Sequence, residues 1–527
     1  MKVLVVEPLA AEGLELLRTH HQVDERLGLP REEIIEILPE YDALVVRSQV
    51  KADAEMIAAG TRLVVIGRAG VGVDNVDLEA ATRAGIVVVN APTGNTIAAA
   101  ELTLALLFGL ARKTAAADAS MRRGEWKRSQ FTGMEVRGKT LGIVGLGKIG
   151  QAIAKRARAM EMTVLGSDPF VTVEQAANLG VELTTFEDLI TRADAITVHV
   201  PKTKSTTGLI NAAVIDRMKP GVLLLNVARG GIIDEQDLAD ALRAGKVGGA
   251  GIDVFNTEPP TGSPLLDAPN TLLTPHLGAS TAEAQVAVAE EVAEQIIDVL
   301  DGRSARYAVN APLLTPETAQ AIAPYLPLAE ILGRFVAQLA RTAPHTLTLE
   351  VAGETAAFDA SSLVAAALRG LLETDTTERV NLVNAGTLAK ARGITVVERK
   401  TPNAGAHASL LTLTAETDSG NTVLSGTCVE GEPRLTRLDE HAMDLAPAAH
   451  MVITRHRDKP GTMGRIGQLL GASDVNISSM TLARSAPRAE AFMVLALDDE
   501  APESVLRAIR ADDAVIDVWQ VHLDGDR

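Results

Sequence analysis

Residues Lys139–Pro169 read "KTLGIVGLGKIGQAIAKRARAMEMTVLGSDP". An apolar run, Leu141–Gly145, enters Gly145-x-Gly147-x-x-Gly150, and the residues that follow carry the alanine-rich pattern of a helix. A second run, Thr163–Ser167, stops at Asp168, 18 residues past Gly150. Gly145 permits a tight turn, Gly147 lets backbone approach a pyrophosphate, and Gly150 lets helix pack closely on strand. The helix start adds amide donors and the positive end of its dipole. A carboxylate at Asp168 would hold ribose hydroxyls and repel a 2′-phosphate, which favours NAD over NADP. Strand, glycine turn, helix and acid in this order make a dinucleotide fingerprint, which the glycines alone would not.

Working outward, short apolar runs alternate with helical stretches over the first 300 residues. They include Lys2–Glu7, Ala43–Arg47, Leu63–Arg68, Val87–Asn90, Ala195–His199, Val222–Asn226, Gly249–Ile252 and Thr271–Thr274. Apolar runs without alternation predict parallel strands covered on both faces, in two doubly wound α/β units. Because the fingerprint starts near residue 141, a separate α/β unit must precede it. Between them "NTIAAAELTLALLFGLAR" (Asn95–Arg112) is apolar nearly all round, yet Glu101 and Arg112 and its length disqualify it as a membrane span. It reads as a helix buried between domains or subunits.

The chain has 527 residues, too many for one core, and three or four domains are expected. One cysteine, Cys428, excludes an intrachain disulfide and any cysteine-rich metal site, so no metal site is expected. The start, "MKVLVVEPLA", reads as a strand and not as a signal peptide, and the single cysteine makes a reducing cytoplasm the expected location. A net charge of −18 argues against a nucleic-acid binder, and no apolar run is long enough for a membrane.

Three chemically active side chains follow the fingerprint: Arg229 in "NVARGG", Glu258 in "DVFNTEPP" and His276 in "LLTPHLGAST". Arg229 and His276 each come just past a strand, where ligands of doubly wound sheets bind. An arginine there needs an anion. With these strings the chain, over about residues 1–305, resembles the D-isomer-specific 2-hydroxyacid dehydrogenases. The resemblance implies that Arg229 binds the carboxylate of a 2-hydroxy acid, that His276 takes the hydroxyl proton, and that Glu258 orients His276. It implies cofactor contacts at Gly145, Gly147, Lys148, Ile149, Gly150, Asp168, Val200, Val227, Ala228, Arg229, Asp253, His276, Gly278 and Ala279. His199 in "ITVHVPKT" would be pocket wall, and His20 and His21 are expected at the surface.

Arg47 and Arg68 each close an apolar strand, as Arg229 does, which suggests a second anionic group on the substrate. These strings resemble the phosphoglycerate dehydrogenase branch of the family, which acts on D-3-phosphoglycerate at the head of the phosphorylated route to L-serine. That resemblance gives phosphate contacts to Arg47 and Arg68, places Asn95 in the same cleft, and implicates Arg128, contributed from a neighbouring subunit. Val71 stands where relatives carry threonine.

Near residue 300 the pattern breaks, and Pro316, Pro324 and Pro327 mark a connector. Residues 328–445, with "NLVNAGTLAKARGITVVERK", resemble the intervening domain of long-form members. The tail from His450 has a βαββαβ order, a ferredoxin-like plan. Its "RHRDKPGTMGRIGQLLGASDVNISSM" resembles an ACT regulatory domain. An effector site there would involve Asp458, Pro460, Gly461 and Asn476, with L-serine as effector; His456 replaces an aromatic residue of serine-binding relatives.

The expected architecture is therefore α/β: a doubly wound Rossmann cofactor domain (98–284) inserted in a flavodoxin-like substrate domain (1–97 and 285–308). An α/β intervening regulatory domain (309–446) and a ferredoxin-like ACT domain (450–527) follow. A homo-oligomer, a tetramer by resemblance, is expected. Two other readings stay open: a dehydrogenase of a different 2-hydroxy acid, and an NAD-sensing corepressor-like protein.

Overall fold

The computed structural model describes residues 1–312, 315–374, 376, 378–484 and 486–523. Strands β1 (Lys2–Val5), β2 (Gln22–Glu25), β3 (Ala43–Val46), β4 (Val65–Arg68) and β5 (Val87–Asn90) form a parallel sheet in the order β2-β1-β3-β4-β5. This is the flavodoxin-like order. Helix Ala282–Leu300, capped by the Thr281 hydroxyl, returns to this sheet and buries Val288, Val292, Ala293 and Ile296 against Val3, Val5, Val45 and Val65. At Gly67 a methyl would stand 2.5 Å from Ile296, so strand and helix touch only because the side chain is missing.

The second sheet is also parallel, in the order β12-β11-β10-β9-β6-β7-β8. Its strands are β6 (Thr140–Val144), β7 (Thr163–Ser167), β8 (Glu182–Leu183), β9 (Ala195–Val198), β10 (Val222–Asn226), β11 (Val247–Ile252) and β12 (Thr271–Leu273). The strand order reverses between β6 and β9, and the glycine turn follows β6 at that switch point. Helix Thr96–Ala111 buries Ala99, Leu106 and Leu107 in this domain's core, beside Leu141 and Leu223.

The outgoing crossover between these two domains is pinned to the returning helix. Glu291 accepts the Thr93 and Gly94 N–H groups (3.1 and 3.2 Å) and the Thr93 hydroxyl (2.5 Å). Four residues on, Gln295 donates to the Asn90 carbonyl at 2.7 Å and accepts the Tyr307 N–H at 2.8 Å.

Further along, β13 (Thr346–Gly353), β14 (Thr395–Thr401), β15 (Ser409–Thr417), β16 (Gly420–Val429), β17 (Glu432–Leu438) and β18 (His441–Leu445) form a mostly antiparallel sheet. Helices Tyr325–Leu339 and Ser361–Glu373 belong to the same core. The last sheet joins β19 (His450–Arg457), β20 (Ile477–Arg484), β21 (Glu490–Leu497) and β22 (Val515–His522) in the order β20-β21-β19-β22, as a ferredoxin-like fold requires. These two units share one apolar core: Met451, Ile453, Phe492, Val494 and Val521 pack into the cluster built around Leu332 and Phe335. Gln338 also exchanges hydrogen bonds with the backbone of His522.

Candidate active site

The fingerprint glycines have three different surroundings. A methyl on Gly145 (φ 96°) would lie 2.5 Å from the His199 carbonyl, and one on Gly150 would lie 2.1 Å from the Gly145 carbonyl. On Gly147 it would meet nothing within 4 Å. The turn is thus closed by backbone behind and open in front. Gly147 caps helix Lys148–Ala159, and no side chain satisfies that helix end, which leaves its amides for an anion. Asp168 accepts the Leu146 and Phe170 N–H groups, both at 2.8 Å, and braces the turn. A carboxylate has about four acceptor positions, so capacity remains for ribose hydroxyls. Lys148 extends over the Tyr307 ring, 5.3 Å from its centre. These features fit a dinucleotide.

Past β12, His276 takes up a left-handed backbone (φ 55°), and its N–H bonds the Asp253 carbonyl at 2.9 Å. A histidine in that region is held by its surroundings against its own preference. The holder is Asp253, fully buried at the end of β11. Its carboxylate accepts from the Thr274 hydroxyl (2.5 Å) and from the N–H groups of Leu277 (2.7 Å) and Gly278 (2.9 Å). Gly278 in turn abuts Val227 and Asp253. Nδ1 of His276 lies 2.7 Å from Glu258 Oε2, while Oε1 accepts the Phe255 N–H at 3.1 Å. An acid on Nδ1 leaves Nε2 as the acceptor facing outward.

Arg229 follows β10. Its carbonyl accepts from Asn226 (2.8 Å), Nη1 donates to the Ala228 carbonyl (2.7 Å), and Nε donates to Asp74 (3.2 Å). Arg68 ends β4 in the other domain. Its Nε is buried and has no partner among the described residues, and Nη1 lies over Gly70, where a methyl would be 1.6 Å away. Burial first, then the charges of Arg229 and Arg47, lowers its pKa to about 10, while Asp74 and Glu7 oppose this. Two further guanidinium groups therefore act on Arg68, which has an unused donor indoors.

Glu7, which the sequence did not mark, builds this cationic wall. It is 4% exposed at the end of β1. Its two oxygens accept the N–H groups of Arg47 (2.6 Å), Ser48 (3.2 Å), Gln49 (2.9 Å) and Val50 (3.2 Å). Asn75 bonds the carbonyls of Arg47 and Val50 in the same loop. Arg47 itself reaches the Pro8 carbonyl. Asn95, before helix Thr96–Ala111, has a buried amide oxygen with no partner among the described residues. Arg128 lies exposed on a separate turn, Arg128–Phe131.

The remaining histidines sort by burial. His199 beside Val200 bonds Thr197 through Nε2 (2.8 Å), its Nδ1 is buried and unpartnered, and burial drives its pKa down to about 3. It stays neutral and is no base at working pH. His20 is exposed, but His21 departs from expectation: its side chain is 7% exposed and its Nε2 has no hydrogen-bond partner. It starts the turn into β2, a strand the sequence did not show.

In the last unit Asp458 accepts from Arg484 (2.7 Å) and the Arg488 N–H (3.0 Å), which holds its carboxyl below the usual range. Gly461, after Pro460, has φ 88° and starts helix Thr462–Gly471. Asn476 donates to Asp498 at 2.6 Å. His456 is buried, bonds Thr454, and has its pKa lowered by burial.

Residues 104–278 match the NAD-binding domain of D-isomer-specific 2-hydroxyacid dehydrogenases, 321–439 the intervening domain of D-3-phosphoglycerate dehydrogenase, and 450–514 the ACT domain. A D-3-phosphoglycerate dehydrogenase of Synechocystis is 48% identical over 99% of this chain and 95% of its own. One from Archaeoglobus fulgidus is 43% identical over 99% and 100%. A crystal structure of an NAD-dependent formate dehydrogenase from Staphylococcus aureus, in complex with NAD, is 30% identical with a TM-score of 0.52, covering 57% of this chain and 96% of that one. A Thermus thermophilus structure is 38% identical with a TM-score of 0.55, covering 59% and 100%. The chain belongs to the D-isomer-specific 2-hydroxyacid dehydrogenases, in the D-3-phosphoglycerate dehydrogenase branch that carries intervening and ACT domains.

Proposed function

We propose that this chain oxidises D-3-phosphoglycerate to 3-phosphohydroxypyruvate with NAD, the entry step of the phosphorylated route to L-serine. The observation that carries the reading is Arg68, half-buried, with a buried Nε that has no partner among the described residues, beside the charges of Arg47 and Arg229. A phosphate supplies the compensating charge, and the planar guanidinium fork suits it. Arg229 holds the carboxylate of the same molecule through its remaining N–H groups. With Nδ1 on Glu258, Nε2 of His276 accepts the proton of the 2-hydroxyl; such a positioned base is worth about 10²–10⁴-fold in rate. NAD, when bound, would supply the hydride acceptor for C2. The glycine turn and Asp168 would hold it, with Lys148, Ile149, Val200, Val227, Ala228, Asp253, Gly278 and Ala279 around it; Asn95 lines the substrate cleft.

The domain division 1–97 with 285–308, 98–284, 309–446 and 450–527 is supported by the four sheets, each of which falls within one part. A homo-oligomer, a tetramer by resemblance, is supported by exposed Ile97, Phe108, Met121 and Trp126, apolar side chains in one part of the chain. Arg128 stands next to this patch in sequence and serves a neighbouring subunit's phosphate site. The effector is L-serine, bound at the turn of Asp458, Pro460 and Gly461 with Asn476. A cytoplasmic location is supported by the single cysteine; among the described residues no helix is long and apolar enough to cross a membrane.

The test is the initial rate of NADH formation with D-3-phosphoglycerate, D-glycerate and D-lactate, each with and without L-serine. Strong preference for the phosphorylated acid is expected, with inhibition by serine. Equal or faster turnover of an unphosphorylated acid would assign the chain to another 2-hydroxy acid. No turnover of any of them would favour an NAD-sensing role.

A further inference from the structure

Arg229 is held by the opposite half of the cleft. Asp74 lies between β4 and helix Leu78–Arg83, in the flavodoxin-like domain, whereas Arg229 follows β10 in the Rossmann domain. Asp74 Oδ2 accepts from Nε at 3.2 Å, a contact spanning 155 residues of chain. Nη1 is held by the Ala228 carbonyl, and Nη2 lies above Gly72, where a methyl would come within 1.9 Å. The guanidinium plane is thus fixed at one corner by its own domain, at a second by Asp74, and on one side by a glycine floor. Of its five N–H groups, the Asp74 and Ala228 bonds use two, and the others remain for a carboxylate.

The Asp74 side chain is 71% exposed. Ion pairs so exposed add little to stability, so holding the domains together is a poor account of it. Aiming a donor fork is a better one, because bidentate recognition depends on the orientation of the plane. The charge of Asp74 also acts on Arg68, opposing the mutual repulsion of the cleft arginines. We propose that Asp74 is a positioning residue for Arg229: it aims the guanidinium at the substrate carboxylate and does so only when the two domains stand close together. The arrangement mirrors Glu258 and His276, with the difference that the acid comes from across the cleft. The proposal rests on the reading of Arg229 as the carboxylate binder.

The test uses the full chain with Asp74→Ala, Asp74→Asn and Arg229→Gln, measuring kcat, the KM values for D-3-phosphoglycerate and NAD, and Tm. Asp74→Ala is expected to raise the KM for the hydroxy acid by about tenfold, a loss of the size that misorientation causes, with NAD KM and Tm unchanged. Asp74→Asn keeps an oxygen for Nε and should recover most of this. An unchanged KM in Asp74→Ala, with a raised KM in Arg229→Gln, would overturn the proposal and leave the reading of Arg229 intact. An unchanged KM in Arg229→Gln would remove that reading, and the proposal with it. Equal losses in both Asp74 variants with a lowered Tm would show a structural role and also overturn it.

Discussion

Glu258 Oε2 stands 2.7 Å from Nδ1 of His276, and the other oxygen of the same carboxylate is fixed by the Phe255 N–H. The acid is therefore held in place before it holds the imidazole. His276→Ala should cut kcat by at least about 100-fold while NAD binding, followed by fluorescence titration, stays nearly unchanged. Glu258→Gln should fall between this variant and the parent, because an amide can present either its oxygen or its NH₂ to Nδ1. Near-normal turnover in His276→Ala would take the histidine out of the reaction.

Arg68 Nε is a buried donor with no partner among the described residues. Inorganic phosphate should therefore raise Tm and compete with D-3-phosphoglycerate. In Arg68→Gln both effects should weaken, with a rise of about tenfold or more in the substrate KM, since hydrogen bonds to charged groups are worth about 1.5–3 kcal/mol. Phosphate protection of equal size in parent and variant would place the phosphate elsewhere.

Glu7 accepts four backbone N–H groups beneath Arg47. Glu7→Ala would orphan all of them, at roughly 1–3 kcal/mol for each that stays dry, a loss large enough to unfold the domain. Glu7→Gln is the informative change: the amide keeps one oxygen and turns the other corner into a donor facing donors. We expect a KM for D-3-phosphoglycerate raised about fivefold or more, with kcat and the NAD KM little altered. A KM equal to the parent's would show that the loop keeps its shape without this charge.

His199 makes stability depend on pH. Its native pKa, driven by burial to about 3, lies below the ordinary value of 6.5. Between those limits the unfolded chain binds a proton that the native one refuses, so stability rises with pH through this window and is lost as pH falls. The slope is at most about 1.4 kcal/mol per pH unit. Denaturant unfolding at pH 6.5 and pH 5 should show His199→Gln losing about 1–2 kcal/mol less than the parent over that interval. Identical losses would mean that the buried ring takes up its proton.

Much of this was legible in the sequence because it is written in local spacing. The glycine turn, the acid ending β7, and the arginine and histidine after β10 and β12 each lie within a few residues of an apolar strand. The misses have physical causes. β2 is a polar, half-exposed edge strand, and β8 has two residues, so neither carries an apolar run. Glu7 works on backbone about 40 residues away, where any side chains would do, and nothing in "VVEPLA" announces it. The core shared by the last two units joins positions more than 100 residues apart, which no local pattern records.

Glu291 and Gln295 hold the outgoing crossover against the same helix, Ala282–Leu300, whose start is the returning one. Two pins set side by side in a door leave it free to swing and unable to swivel. The same constraint operates here: the halves of the cleft can open or shut about the line through both crossovers, while shear along the cleft or rotation about its long axis would strain two covalent links at once. Arg68 and Asp74 on one leaf, and Arg229 and His276 on the other, must then meet in the same register at every closure. Two protein strands thus provide, at no cost in contact area, an alignment that a single linker could not.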